Sequence, residues 1–326
     1  NTFTPKDLYT ALLIQPDSVY AHAEAGDFFV DIQTQEGVES LISRIDTLMP
    51  LLEMQQRQKQ FSITALQSAW PRACVKMHSG NNNPVSNFFA YYGYAFKTLN
   101  APLDVSPEIG LDGYLYIWGL QADSILLDTI HFVAEQQDTV LRFSGNISNN
   151  KYNPQFVFNA QLVGRLMSDG AMARVYLYDA KKRLAIELAT RARFEKEGLR
   201  FTFHPSQPVL AYQTYNLNDN AYVMLRDDGK VVGDMRLLTD KGGGLVFKAE
   251  PTEGKKQDMH LDFINIDLGE ITGILPYAPL VSGILNGGIE AEQPIDGPLQ
   301  ANGVLQFKNL AYEGSLMGEN MEVALN

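Results

Sequence analysis

The chain has 326 residues, a formal net charge of −12, 45% hydrophobic residues and 20% charged residues. This is an ordinary globular balance with enough apolar material for a large core. The acidic balance argues against nucleic acid and against anionic lipid headgroups as partners, and reads as a solubility feature. The single cysteine, Cys74, rules out an internal disulfide.

Residues 1–33 read as an N-terminal strand region. Residues 5–13 fit either a helical turn or a strand entry, and 27–32 read as a strand. Residues 34–109 read as a helical segment. Val38, Leu41, Ile42, Ile45, Leu48, Met49 and Leu52 recur at three- and four-residue spacing, the mark of an amphipathic helix. Pro50 is expected to kink or divide it. Further helices are expected over 62–78, divided at Pro71, and over 84–99, where Pro84 suits a first turn. The aromatics Phe88, Phe89, Tyr91, Tyr92, Tyr94 and Phe96 are expected to be core. Residues 79–83 read as a loop.

After Pro107 the pattern becomes extended. Strands are expected at 113–118, 125–133, 140–147, 156–166, 174–178, 183–194, 200–203, 221–226, 231–238 and 245–249. Asp227-Asp228-Gly229-Lys230 joins two of them as a hairpin, because Gly accepts the positive φ of a tight turn. Connections this short force antiparallel neighbours. The clearest strand is 183–195, with Leu184, Ile186, Leu188, Thr190, Ala192 and Phe194 on one face. Arg183, Ala185, Glu187, Ala189, Arg191, Arg193 and Glu195 form the other. At about 3.3 Å per residue it spans roughly 40 Å. The expected fold is mainly β: a long, curved antiparallel sheet over 110–326, preceded by the helical segment. The alternative is a large β-sandwich.

Residue chemistry gives little sign of catalysis. His22, His78, His131, His204 and His260 show no paired spacing, so no local zinc motif is present. Cys74 reads as a small buried residue between Ala73 and Val75. Glu290 and Glu292 share a strand face and could form an acid/base dyad, but a solvated face is the simpler reading. Lys241-Gly242-Gly243-Gly244 leads into a strand and reads as a turn, not a phosphate loop. No metal, cofactor or catalytic residue is expected.

The C-terminal stretch, 261–312, is the most informative. Leu261, Phe263 and Asn265 alternate with Asp262, Ile264 and Ile266. Asp267 is placed to cap a short helical turn, and Pro276 and Pro279 stop it. Glycine-punctuated extended pieces follow, a β-meander. The order Ile266-Asp267-Leu268, Leu275-Pro276, residues 283–287 (Gly-Ile-Leu-Asn-Gly), 294–299 (Pro-Ile-Asp-Gly-Pro-Leu) and 303–310 (Gly-Val-Leu-Gln-Phe-Lys-Asn-Leu) resembles the AsmA/TamB superfamily of Gram-negative envelope proteins. The likeness covers roughly the last sixth of the chain. It implies a periplasmic, non-enzymatic segment whose open β-trough carries phospholipid acyl chains, or assists outer-membrane β-barrel proteins, between the two membranes. Membrane contact would come through parts of a longer protein. The absence of an initial Met and the strand pattern running to Asn326 fit such a fragment.

On that reading the groove is lined by Leu184, Ile186, Leu188, Phe194, Leu305 and Phe307, and Val304 cannot share a face with Leu305. Two other readings stand beside it. One is a sandwich-type binding module for glycan or protein, with Tyr114, Tyr116 and Trp118 as its platform. The other, less favoured, is a β-rich glycan-active enzyme.

Overall fold

The computed structural model describes residues 6–123, 125–149, 157–250, 252 and 254–325; Pro5, Phe156 and Asn326 lie outside them. The protein is mainly β, as expected. Hydrogen bonding joins 23 strands into an antiparallel sheet, with four helices among the described residues. The chain divides into two compact units, residues 1–171 and 172–326.

Unit 1 opens with β1 (Tyr9–Gln15), β2 (Ser18–Ala25) and β3 (Phe28–Thr34), each antiparallel to the next. The stretch at 5–13 is therefore a strand entry. The helical stretch is then inserted between β3 and β4 (Ala73–Ser79), which pair directly with one another. The first helix, α1 (Val38–Gln58), keeps Pro50 inside a single 21-residue helix. The second, α2 (Ile63–Ala69), is capped by the Ser62 hydroxyl, which accepts from the Ala65 amide. The expected helix over 62–78 ends at Trp70, because Pro71 has no amide to donate and Val75 and Met77 pair with Ile32 and Val30 instead.

The third, α3 (Pro84–Tyr91), is also shorter than expected. Gly93 takes a φ of +83°, and the following residues form β5 (Tyr94–Ala95) and β6 (Thr98–Asn100). Both of these strands pair with β8 (Gly110–Ala122), as does β7 (Leu103–Ser106). The meander continues through β9 (Ile125–Gln137), β10 (Val140–Ser148) and β11 (Phe158–Met167). Strand β12 (Gly170–Asp179) contains the boundary between the units.

The buried apolar residues of unit 1 include Ile63, Leu66 and Ala69 of α2, together with Ala25, Leu99 and Val105. Two polar clamps hold α1. At its C-terminal end the buried Gln55 amide donates to the Ser62 carbonyl and accepts from the Ser62 amide. At its N-terminal end the buried Glu36 carboxylate accepts from the Arg72 amide at 2.9 Å, the Arg44 guanidinium at 2.7 Å and the Ser40 hydroxyl at 2.9 Å. Burial alone would push the Glu36 carboxyl up, but these three donors together hold it below the ordinary carboxylate range.

A carboxyl lowered by folding contributes stability above its unfolded pKa of about 4.3 and loses it as pH falls through the folded value. Glu36→Gln should therefore cost about 2 kcal/mol at pH 7. The gap in melting temperature from the parent should close below about pH 4. Thermal melts of both proteins across pH check this.

Unit 2 begins within β12 and continues with β13 (Leu184–Glu195), β14 (Gly198–Leu210), β15 (Gln213–Thr214), β16 (Asn216–Leu217), β17 (Tyr222–Arg226) and β18 (Val231–Leu238). Then come β19 (Gly244–Ala249), β20 (Lys255–Asp267), α4 (Leu268–Thr272), β21 (Val281–Pro294), β22 (Gln300–Tyr312) and β23 (Ser315–Leu325). The Asp-Gly hairpin joins β17 to β18, with Gly229 at φ +80°. The Asp267 carboxylate caps α4 by accepting from the Gly269 and Glu270 amides. The C-terminal meander forms as read, with residues 300–312 as one strand.

Gly287 shows what the meander requires locally. Its φ is +131°, and a Cβ there would collide with the Val304 carbonyl oxygen of the neighbouring strand. Gly287→Ala should destabilise unit 2 by about 3 kcal/mol, read as a lowered urea midpoint.

Candidate functional site

The register of unit 2 builds one face from many short alternations. Residues directly opposite in antiparallel strands point to the same side. Tracing partners from strand to strand gives the row Ala192, Phe201, Val223, Gly233, Ala249, Met259, Ala291, Ala301 across β13, β14 and β17–β22. Beside it runs Met235, Phe247, Leu261, Ile289, Gly303, Leu325 across β18–β23. The next row is Leu237, Leu245, Phe263, Gly287, Leu305, Val323. Phe194, Leu199 and Leu225 flank these rows at one end, and Leu285, Phe307 and Met321 at the other. No charged residue interrupts this face.

The opposite face carries the charge. Its rows include Asp234, Lys248, His260, Glu290, Asn302 and Arg236, Val246, Asp262, Gly288, Val304, Ala324. Val304 thus lies opposite in sense to Leu305 and Phe307, as alternation requires, and it is the more exposed. Glu290 and Glu292 sit on this charged side. The His260 ring contacts Glu290 at 3.5 Å and Lys255 pairs with Glu292 at 2.6 Å, which is the solvated strand face expected.

The apolar face is partly covered, and Ala249 of its first row is buried. Phe194, Phe201, Phe203, Phe247, Phe263 and Phe307 are all half-buried, as are Leu245, Leu261 and Ile289. Leu225 is 46% exposed and Val323 40%. In a sealed sandwich the side chains of the inner faces interdigitate and are buried. Among the described residues, those fully buried on β13 are Ala185 and Ala189, which belong to the strand's other side.

The six residues expected to line a groove fall into separate places. Leu305 and Phe307 are in the rows above, and Phe194 pairs with Leu199 at the end of the first. Ile186 pairs with Leu210. Leu184 and Leu188 are half-buried, but Leu188 lies opposite a bulge: Glu187 pairs with Val209 and Ala189 with His204, so residues 205–208 face it. The prolines at 205 and 208 cannot donate to the ladder, which interrupts the row there. Sequence reasoning missed Phe201, Leu245, Phe247 and Ile289. Each has a period-two neighbour as a signal, but nothing local says which strand lies beside which.

Unit 1 places Tyr114, Tyr116 and Trp118 on one side of β8, with His131 5.8 Å from the Tyr114 ring and 6.0 Å from the Tyr116 ring. Lys97 lies over Trp118 at 4.6 Å. On β2 and β3, the Asp31 carboxylate accepts from the Tyr20 hydroxyl at 3.0 Å and contacts His22 Nδ1 at 2.7 Å. The hydrogen bond to Asp31 holds the His22 imidazolium above the usual histidine range, and His22 in turn lowers Asp31.

Cys74 is half-buried opposite Asp104, not sealed in the core as expected, because β4 points it to the polar side. The hydrogen bond to Asp104, and then burial, push its thiol up, away from a nucleophilic thiolate. Among the described residues, hydrogen-bond donors hold the carboxyls of Asp31, Glu36, Glu108, Asp179, Asp228 and Asp258 below the ordinary carboxylate range. Among the described residues no cluster of three or more His, Cys, Asp or Glu side chains could hold a metal ion, and no helix is long and apolar enough to cross a membrane. No protein-family model matches the chain, and neither a curated protein nor a solved structure matches it.

Proposed function

We propose that the apolar face of residues 172–326 receives the acyl chains of phospholipid, as part of a non-enzymatic, TamB-like protein working in the periplasm between inner and outer membranes. The observation that carries this reading is the run of apolar rows, six strands or more in width, whose six phenylalanines are only partly buried. Six strands at about 4.8 Å spacing span roughly 24 Å. The acyl chains of one leaflet need about half of a roughly 30 Å hydrocarbon core, so they fit. Each methylene that leaves water for such a face contributes about 0.8 kcal/mol. The charged opposite side keeps the loaded sheet soluble.

The test is organic extraction of the purified protein followed by lipid mass spectrometry, beside a native mass measurement. Phospholipid at near-stoichiometric amounts is expected. A lipid-free monomer overturns the reading.

A further inference from the structure

The aromatics of α3 and β5 are expected in the core, yet of these Phe96 alone is buried, at 5% exposure. Tyr91 is 77% exposed, Tyr92 60%, Phe88 59% and Tyr94 47%. Helix α3 turns Phe88 and Tyr91 outward, and Tyr92 and Tyr94, past its end at Tyr91, do not continue its face. Tyr94 pairs with Ala122 at the end of the β8–β9 hairpin, where Ile125 and Leu126 add exposed aliphatic surface. No charged residue occurs from Ser79 to Phe96, in a chain whose net charge is −12.

Ring geometry and charge decide what such a tip fits. The Phe88–Phe89, Phe88–Tyr92 and Tyr91–Tyr92 pairs meet edge to face, at 80°, 65° and 90°. A sugar stacks on a flat ring face, and this cluster offers no coplanar platform. A protein hot spot sits within a desolvated surround, whereas these rings are mostly bare. The headgroup–acyl boundary of a bilayer accepts Phe and Tyr rings at any mutual angle, with the phenol hydroxyl kept wet. With no Lys or Arg in the patch and an acidic chain behind it, anionic headgroups would give no attraction.

We infer that this tip docks unit 1 onto a zwitterionic lipid bilayer by inserting its aromatic rings at the interface. The inference stands on unit 1 alone and does not rest on the acyl-chain reading of unit 2.

The test is flotation of the purified protein with phosphatidylcholine vesicles, at low and high salt. The wild type is expected to float with the vesicles equally at both salts, because the contact is apolar. The triple variant F88S/Y91S/Y92S is expected to bind more than about tenfold more weakly, with an unchanged melting temperature, since all three rings are exposed. The inference is overturned if the wild type stays unbound, if it floats only with anionic vesicles, or if the triple variant floats as well as the wild type. The double variant F201D/F247D separates the two proposals: it should still float, whether or not it carries extractable lipid.

Discussion

Phe201→Asp combined with Phe247→Asp is expected to remove extractable phospholipid while leaving residues 172–326 folded. The two rings lie in adjacent rows of the apolar face, on β14 and β19. A carboxylate in each row must stay hydrated, so acyl methylenes cannot lie across either. Losing contact with about four methylenes costs roughly 3 kcal/mol, more than a hundredfold in affinity. The same substitutions discriminate an open face from a closed one. In a sealed core, Phe→Ala alone costs about 3–5 kcal/mol, and two buried charges would unfold the unit. On an open face each carboxylate keeps its water, and the loss of stability should stay below about 2 kcal/mol. Lipid mass spectrometry and urea melts of parent and variant read both quantities. A variant that cannot fold would point to the sandwich and count against the acyl-chain reading.

How much of this was legible follows the range of each interaction. The hairpin at Gly229, the cap at Asp267 and the turn at Gly242 are set by two to four neighbouring residues, and all three form as read. The face of a strand is set by alternation, so the placement of Leu305 and Phe307 against Val304 was readable too. Register is not local. That Phe247 sits between Met235 and Leu261 depends on two turns in sequence, and no residue near Phe247 records it. The helical segment misled for a related reason. Residues 73–79 carry an apolar pattern that suits a helix or a strand, and the pairing with β3, some forty residues earlier, decides it. The α3 aromatics stand exposed even within the helix, because helical spacing does not say which side of an eight-residue helix meets the sheet.

Asn83→Ala is expected to destabilise unit 1 by about 3 kcal/mol and to abolish vesicle binding by the aromatic tip. Asn83 is fully buried. Its side-chain oxygen accepts from the Ser86 amide at 2.8 Å, capping α3. Its amide nitrogen donates to Asp27 at 2.6 Å, to the Gly80 carbonyl at 3.0 Å and to the Ser79 hydroxyl at 3.1 Å. Alanine removes the cap, worth about 1 kcal/mol, and strands the buried groups that relied on it. Asn83→Asp keeps the shape and the cap but sets a second carboxylate against Asp27, so at neutral pH it should cost at least as much. Urea denaturation followed by far-UV circular dichroism measures both. The link to the tip comes from length. A helix of eight residues has too few internal bonds to repay its nucleation in water, so α3 persists only while this polar knot ties its first turn to β4 and to Asp27. Phe88, Tyr91 and Tyr92 lie on that helix and just past it. Cutting the knot should therefore silence flotation without touching a single ring.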